Sequence, residues 1–177
     1  MVQMDKRNYA FGVLIAALIA LAALGGCTAP QSDSASLQKL SALQESFGVK
    51  NAYSSNPAQM NDYISGLSEL RAKSGGSSAK IIDAELSSAQ AFYYLSLALG
   101  ASNEIDYQSV SCNSKQVSSA VEYDKLALTA STRAISFVSL LSAEELKSMR
   151  ANQLDMVKSY KASAEQIKSF IASSCGN

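Results

Sequence analysis

The chain has 177 residues, with 15 basic and 15 acidic side chains, two prolines and no histidine or tryptophan; this is enough for one domain around one core and too little for two. The balanced charge, with no basic stripe interleaved with aromatics, excludes a nucleic-acid partner. Without histidine, haem attachment through C-x-x-C-H, zinc motifs and Glu-x-x-His di-iron bundles are excluded on residue types, so no metal and no cofactor is expected.

Lys6 and Arg7 precede an uncharged stretch from Ala10 to Leu24 that ends in Gly25 and Gly26, the anatomy of a secretory signal. A membrane-spanning helix needs about 20 apolar residues, and this run is shorter and closes in two glycines. Leu24-Gly25-Gly26-Cys27 resembles the lipobox of prokaryotic lipoproteins: a branched aliphatic residue, two small ones, then the thiol. The resemblance covers only the leader. It implies that Cys27 receives a diacylglyceryl group, that the chain is cut just before it, and that membrane lipid is the first partner. On that reading residues 1–26 are a signal peptide, 27–33 a lipidated tether and 34–177 a helical bundle domain. The protein is then exported and held on the cell membrane or, in a host that has one, the outer membrane, since Thr28 is not the aspartate associated with inner-membrane retention. Cleavage without lipid and an uncleaved anchor are the alternatives. Losing Lys6, Arg7 and Asp5 leaves thirteen basic against fourteen acidic side chains.

A first helix is predicted from Ser34 or Ser36, with Leu37, Leu40, Leu43 and Phe47 at helical spacing and Gly48 as its stop. Asn56-Pro57 opens a second, Gln59 being placed to reach back to the cap and Met60, Tyr63, Ile64, Leu67 and Leu70 forming one stripe; Ser74-Gly75-Gly76 ends it. The third starts at Ser77 or Ser78 and carries Ile82, Leu86, Ala89, Tyr93 and Leu97, becoming apolar all round and hence central. Its Phe92, Tyr93 and Tyr94 are either a ligand shelf or, as such stripes more often are, core. Gly100 to Ser114 reads as a loop.

The fourth helix places Val117, Val121, Asp124, Leu128, Ser131, Ile135 and Val138 on one stripe, which Asp124 and Ser131 interrupt. Ser142 and Glu145 form a capping box that opens a long fifth helix with Leu146, Met149, Met156, Tyr160, Ile167 and Ile171 in core register. The fold class expected is all-α, a single antiparallel bundle of four to five helices. The fourth and fifth helices fold back at Ser142, and Cys112 lies 30 residues before it while Cys175 lies 33 after. At about 1.5 Å per residue both thiols reach the open end of that hairpin. In an oxidising compartment, with Cys27 consumed by lipid, a Cys112–Cys175 disulfide is expected, two buried free thiols being the alternative.

Chemistry is left to carboxylates, tyrosines and lysines. The acidic pairs Asp83/Glu85, Glu104/Asp106, Glu122/Asp124 and Glu144/Glu145 read as solvated helix faces, and no G-x-S-x-G, Walker or G-x-G-x-x-G motif occurs. The expectation is a non-enzymatic envelope lipoprotein acting through a protein partner or as an accessory subunit. A small-molecule or lipid-binding module lined by Tyr93 and Tyr94 is the alternative, and a carboxylate enzyme the third class.

Overall fold

Six helices and no strand make up the described residues, which are 32–105 and 114–175 of a computed structural model. They are α1 (Asp33–Ser46), α2 (Pro57–Ala72), α3 (Gly76–Asn103), α4 (Lys115–Ser139), the one-turn α5 (Ala143–Leu146) and α6 (Gln153–Cys175). Gln31–Asn177 forms one compact unit. The lipobox with Cys27, Asp106 and Cys112 lie outside the described residues.

The ends of α1 and α2 follow from local chemistry. At Gly48, in the left-handed region at φ 64°, the chain closes α1 with the paired bonds that satisfy its last carbonyls: Gly48 N–H donates to Glu45 O at 3.0 Å and Val49 N–H to Gln44 O at 2.9 Å. Val49, fully buried, is thereby fixed just beyond the helix. The Asn56 side chain caps α2, accepting from Ala58 N–H at 3.0 Å and Gln59 N–H at 3.4 Å, an arrangement worth about 1 kcal/mol. Gln59 does not return the bond as expected. Its amide accepts from the Ser54 hydroxyl at 2.6 Å and donates to Phe47 O at 2.9 Å, which ties the start of α2 to the end of α1.

The start of α3 depends on a distant residue. Asp33, counted with the tether in the sequence, is the first residue of α1, and its carboxylate accepts from Ser78 N–H at 3.2 Å and the Ser78 hydroxyl at 2.8 Å. These bonds, the hydroxyl first, lower its pKa. Gly76 sits at φ 55°, and a Cβ there would lie 3.0 Å from the Asp33 carboxylate. The helix then runs straight through Gly100 to Asn103, further than the expected loop allows.

Two expectations of register are corrected. On α4 the buried stripe is Val117, Ala120, Asp124, Ala127, Ser131, Ala134 and Val138. The alanines face inward while Val121 is exposed: small side chains let neighbouring helices approach closely, and that outweighs the larger apolar area of their neighbours. The long fifth helix is broken. The capping box is present, Glu145 N–H donating to Ser142 Oγ at 3.2 Å and Ser142 N–H to Glu145 Oε2 at 2.8 Å. The Ser77 hydroxyl also donates to Glu145, and with the Ser142 bonds it lowers that carboxyl to about 2. Yet α5 ends after one turn, and the chain passes through Lys147 to Asn152, the last at φ 60°, before α6 begins. Val157 then takes the buried position expected for Met156.

The core has two parts. Ile81, Ile82, Ala84 and Ala89 of α3 join Val138 and Leu141 in one, with Met60, Tyr63 and Leu67 of α2. Leu95 and Ala98 join Val117, Ala120 and Ala127 in the other, with Ala164, Ile167 and Ile171 of α6. The early half of α3 thus meets the late half of α4, so α4 runs antiparallel to both α3 and α6. Tyr63, Met60 and Leu67 are the largest fully buried apolar side chains, each contributing about 1.5–3 kcal/mol by burial.

Candidate functional site

The break between α5 and α6 turns Arg150 into the first core. Its guanidinium reaches Glu85 of α3, Nη1 donating to Oε1 at 2.7 Å and Oε2 at 2.8 Å, with the two side chains 3% and 1% exposed. Its Nε donates to Val49 O at 2.9 Å, and Nη2 donates to the same oxygen. Two tyrosines complete the shell: Tyr63 OH donates to Glu85 Oε1 at 2.6 Å and Tyr53 OH at 3.3 Å. The Arg150 guanidinium also stacks 4.0 Å from the centre of the Tyr53 ring, and Gln153 donates to Tyr53 OH at 3.3 Å. Burial first, then the Glu85 charge, raises the pKa of both tyrosines, so each keeps its proton and donates. The cluster clasps four parts of the chain: the turn after α1, α2 through Tyr63, the middle of α3 and the break before α6. With both carboxylate oxygens held by Arg150, Glu85 is no free base.

Glu85 and Asp124 therefore correct the reading of the acids as solvated. Asp124 is 3% exposed on the buried face of α4, and neither its Oδ1 nor the Ser131 hydroxyl one heptad on has a hydrogen-bond partner among the described residues. Burial raises its carboxyl to about 6, against the opposing pull of the Lys168 charge on α6. Of the other acids, Asp83 pairs with Arg71 at 2.8 Å and Glu144 with Lys147 at 3.1 Å. No group of three potential metal ligands occurs among the described residues, and no helix among them is long and apolar enough to cross a membrane.

Because Asp124 holds its proton to higher pH folded than unfolded, the folded state binds more protons between about pH 4 and 6. The contribution of Asp124 to stability is accordingly greatest below that window and is lost as pH rises through about 6. Asp124→Asn is expected to remove this decline and raise stability at pH 8 by about 1–3 kcal/mol. Urea unfolding at pH 4.5 and pH 8 checks both expectations.

The aromatic run of α3 is divided. Phe92 packs against the core, its ring 5.3 Å from Tyr53 and 5.6 Å from Tyr160, whereas Tyr93 and Tyr94 pair with each other at 5.3 Å. A cleft of about 300 Å³ lies between α1 and residues 147–150, and one of about 460 Å³ beside the end of α3 and the start of α4; none of the three aromatics lines either. Cys175, the last residue of α6, is disulfide-bonded. No family model matches this chain, and neither a curated protein nor a solved structure matches it. The class it defines is an all-α helical bundle.

Arg150, Gln153 and Tyr53 are the site residues that sequence reasoning missed, and a signal for two of them exists. Stepping back from Ile171 through Ile167, Ala164, Tyr160 and Val157 in threes and fours lands on Gln153 and Arg150, polar residues at core positions.

Proposed function

We propose that this chain is a membrane-anchored envelope lipoprotein whose helical bundle works without catalysis, as a protein-interaction or accessory subunit. The lipobox-like Leu24-Gly25-Gly26-Cys27 carries the reading. It is supported by an interior filled with side chains and by a buried acid whose partner is a structural arginine. Five residues lie between Cys27 and α1, so an anchored bundle stays within about 25 Å of the bilayer surface and its partner is membrane-proximal. We further infer that the disulfide of Cys175 joins Cys112: the chain has three cysteines, and lipid on Cys27 leaves one other thiol.

Two acyl chains, each buried methylene contributing about 0.8 kcal/mol, hold such a protein on the membrane without exchange. Cys27→Ser is therefore expected to leave the precursor uncut and without the diacylglyceryl mass. Processing and lipid modification, followed by mass spectrometry, decide the reading; a Cys27→Ser protein that is still processed and still pellets with membranes overturns it. Crosslinking in intact membranes then identifies the partner.

A further inference from the structure

We propose that the cleft between α1 and residues 147–150 binds a phosphate group carried on a short apolar stem, a function that goes beyond the anchor and does not depend on it. The polar wall can donate hydrogen bonds throughout: Ser41 and Gln44 from α1, Lys50 from the turn after it, and Lys147, Ser148 and Arg150 from the break. No carboxylate lines the cleft.

Gln44 is the most telling of these residues. It is 7% exposed, yet no group among the described residues bonds its side-chain amide, and neither amide atom is among those sealed inside the protein. A buried amide on the wall of a cleft, unpaired but not sealed, opens onto that cleft. The side chain is thus held in place by burial while its amide has no partner among the described residues, and it is free to bond a group that enters the cleft. Arg150 also lines the cleft, and with four of its five N–H bonds spent on Glu85 and Val49 it keeps one on Nη2. Lys50 and Lys147 stand at the rim, each held by an exposed pair, to Glu45 and Glu144 at 3.1 Å. Such pairs exchange partners at little cost.

Phosphate fits this set better than carboxylate. Six donor groups exceed the roughly four lone-pair positions on the two oxygens of a carboxylate, whereas the three terminal oxygens of a phosphate monoester offer at least about six on the same count. Leu37, Leu40 and Met149 supply an apolar wall for the carbon stem, and about 300 Å³ sits at the small end of ligand pockets. A soluble phosphate monoester and the monoester headgroup of phosphatidic acid share this chemistry.

The test uses the full chain in an uncharged detergent, titrated calorimetrically with glycerol 3-phosphate at fixed potassium chloride. Saturable binding at one site is expected, equally in Cys27→Ser, so a failure of anchoring does not disturb this measurement. Lys50→Gln with Lys147→Gln is expected to weaken binding by about tenfold or more, and Gln44→Leu by at least about threefold, with thermal unfolding of the lysine variant unchanged. Lys39→Gln with Lys73→Gln, which lie at a different cleft, should bind like the parent. Displacement by phosphatidic acid, whose headgroup is a phosphate monoester, in mixed detergent micelles identifies the lipid as the source, and undisturbed binding identifies the soluble ester. No saturable heat, or equal weakening by the Lys39/Lys73 pair, overturns the proposal.

Discussion

Arg150→Met lowers the unfolding free energy by about 3–5 kcal/mol, because it strands the Glu85 carboxylate in the core with only tyrosine hydroxyls to bond it. Glu85→Gln has a cost of the same order from the other side, leaving a buried guanidinium with no counter-charge. The double variant Glu85→Gln/Arg150→Met leaves no charge in this cluster. Its remaining defect is the Val49 carbonyl, which loses both Arg150 bonds and costs about 1–3 kcal/mol as an unsatisfied buried acceptor. The double variant should thus be more stable than either single one, a reversal that independent effects cannot produce. Urea midpoints of the three variants, taken with their slopes, measure it. If the two losses simply add, the pair is not the closed unit its geometry describes.

Why that pair escaped the sequence reading is a physical matter. Caps and stops are local, and those were legible: Gly48, Asn56-Pro57 and Ser142 with Glu145 lie where the structure uses them, since each acts on neighbours within a turn. The boundary at α3 was not, because its cap comes from Asp33, 45 residues earlier. The inward face of α4 was misjudged for a different reason. Leu128 and Ile135 look more apolar than Ala127 and Ala134, but close helix approach selects for small size, a property of the partner helix as much as of α4 itself. The break before α6 has neither glycine nor proline to announce it. Leu146, Met149 and Met156 continue a plausible helical stripe across it, and what the break places, Arg150 on Glu85, is a contact between residues 65 apart in the chain. Of the candidate site, Tyr63 was visible as part of the α2 stripe, and Phe92, which packs on Tyr53, as part of the aromatic run of α3. The ionic half required knowing that α3 and the break meet.

The disulfide is the second large effect, and it follows from the same topology. Since α4 runs antiparallel to α6, the start of α4 at Lys115 and the end of α6 at Cys175 share one end of the bundle, as Val117 and Ile171 do in the second core. Cys112 stands three residues before Lys115, so a Cys112–Cys175 bond closes nearly the whole α4–α6 hairpin. Closing a loop of that length stabilises the fold by about 4 kcal/mol in the chain-entropy model. Reduction, or Cys112→Ser with Cys175→Ser, is therefore expected to lower the melting temperature by about 8–15 °C, each kcal/mol being worth about 2–4 °C for a domain of this size. Peptide mapping of protein purified without reductant should recover residues 112 and 175 in one linked peptide, with no free thiol open to alkylation. That result also bears on the anchor. A free Cys27 would compete for Cys175, whereas a thioether-linked lipid cannot, so a homogeneous 112–175 link is what a fully acylated Cys27 predicts. Recovery of Cys175 linked to Cys27 would remove the lipid and this pairing together.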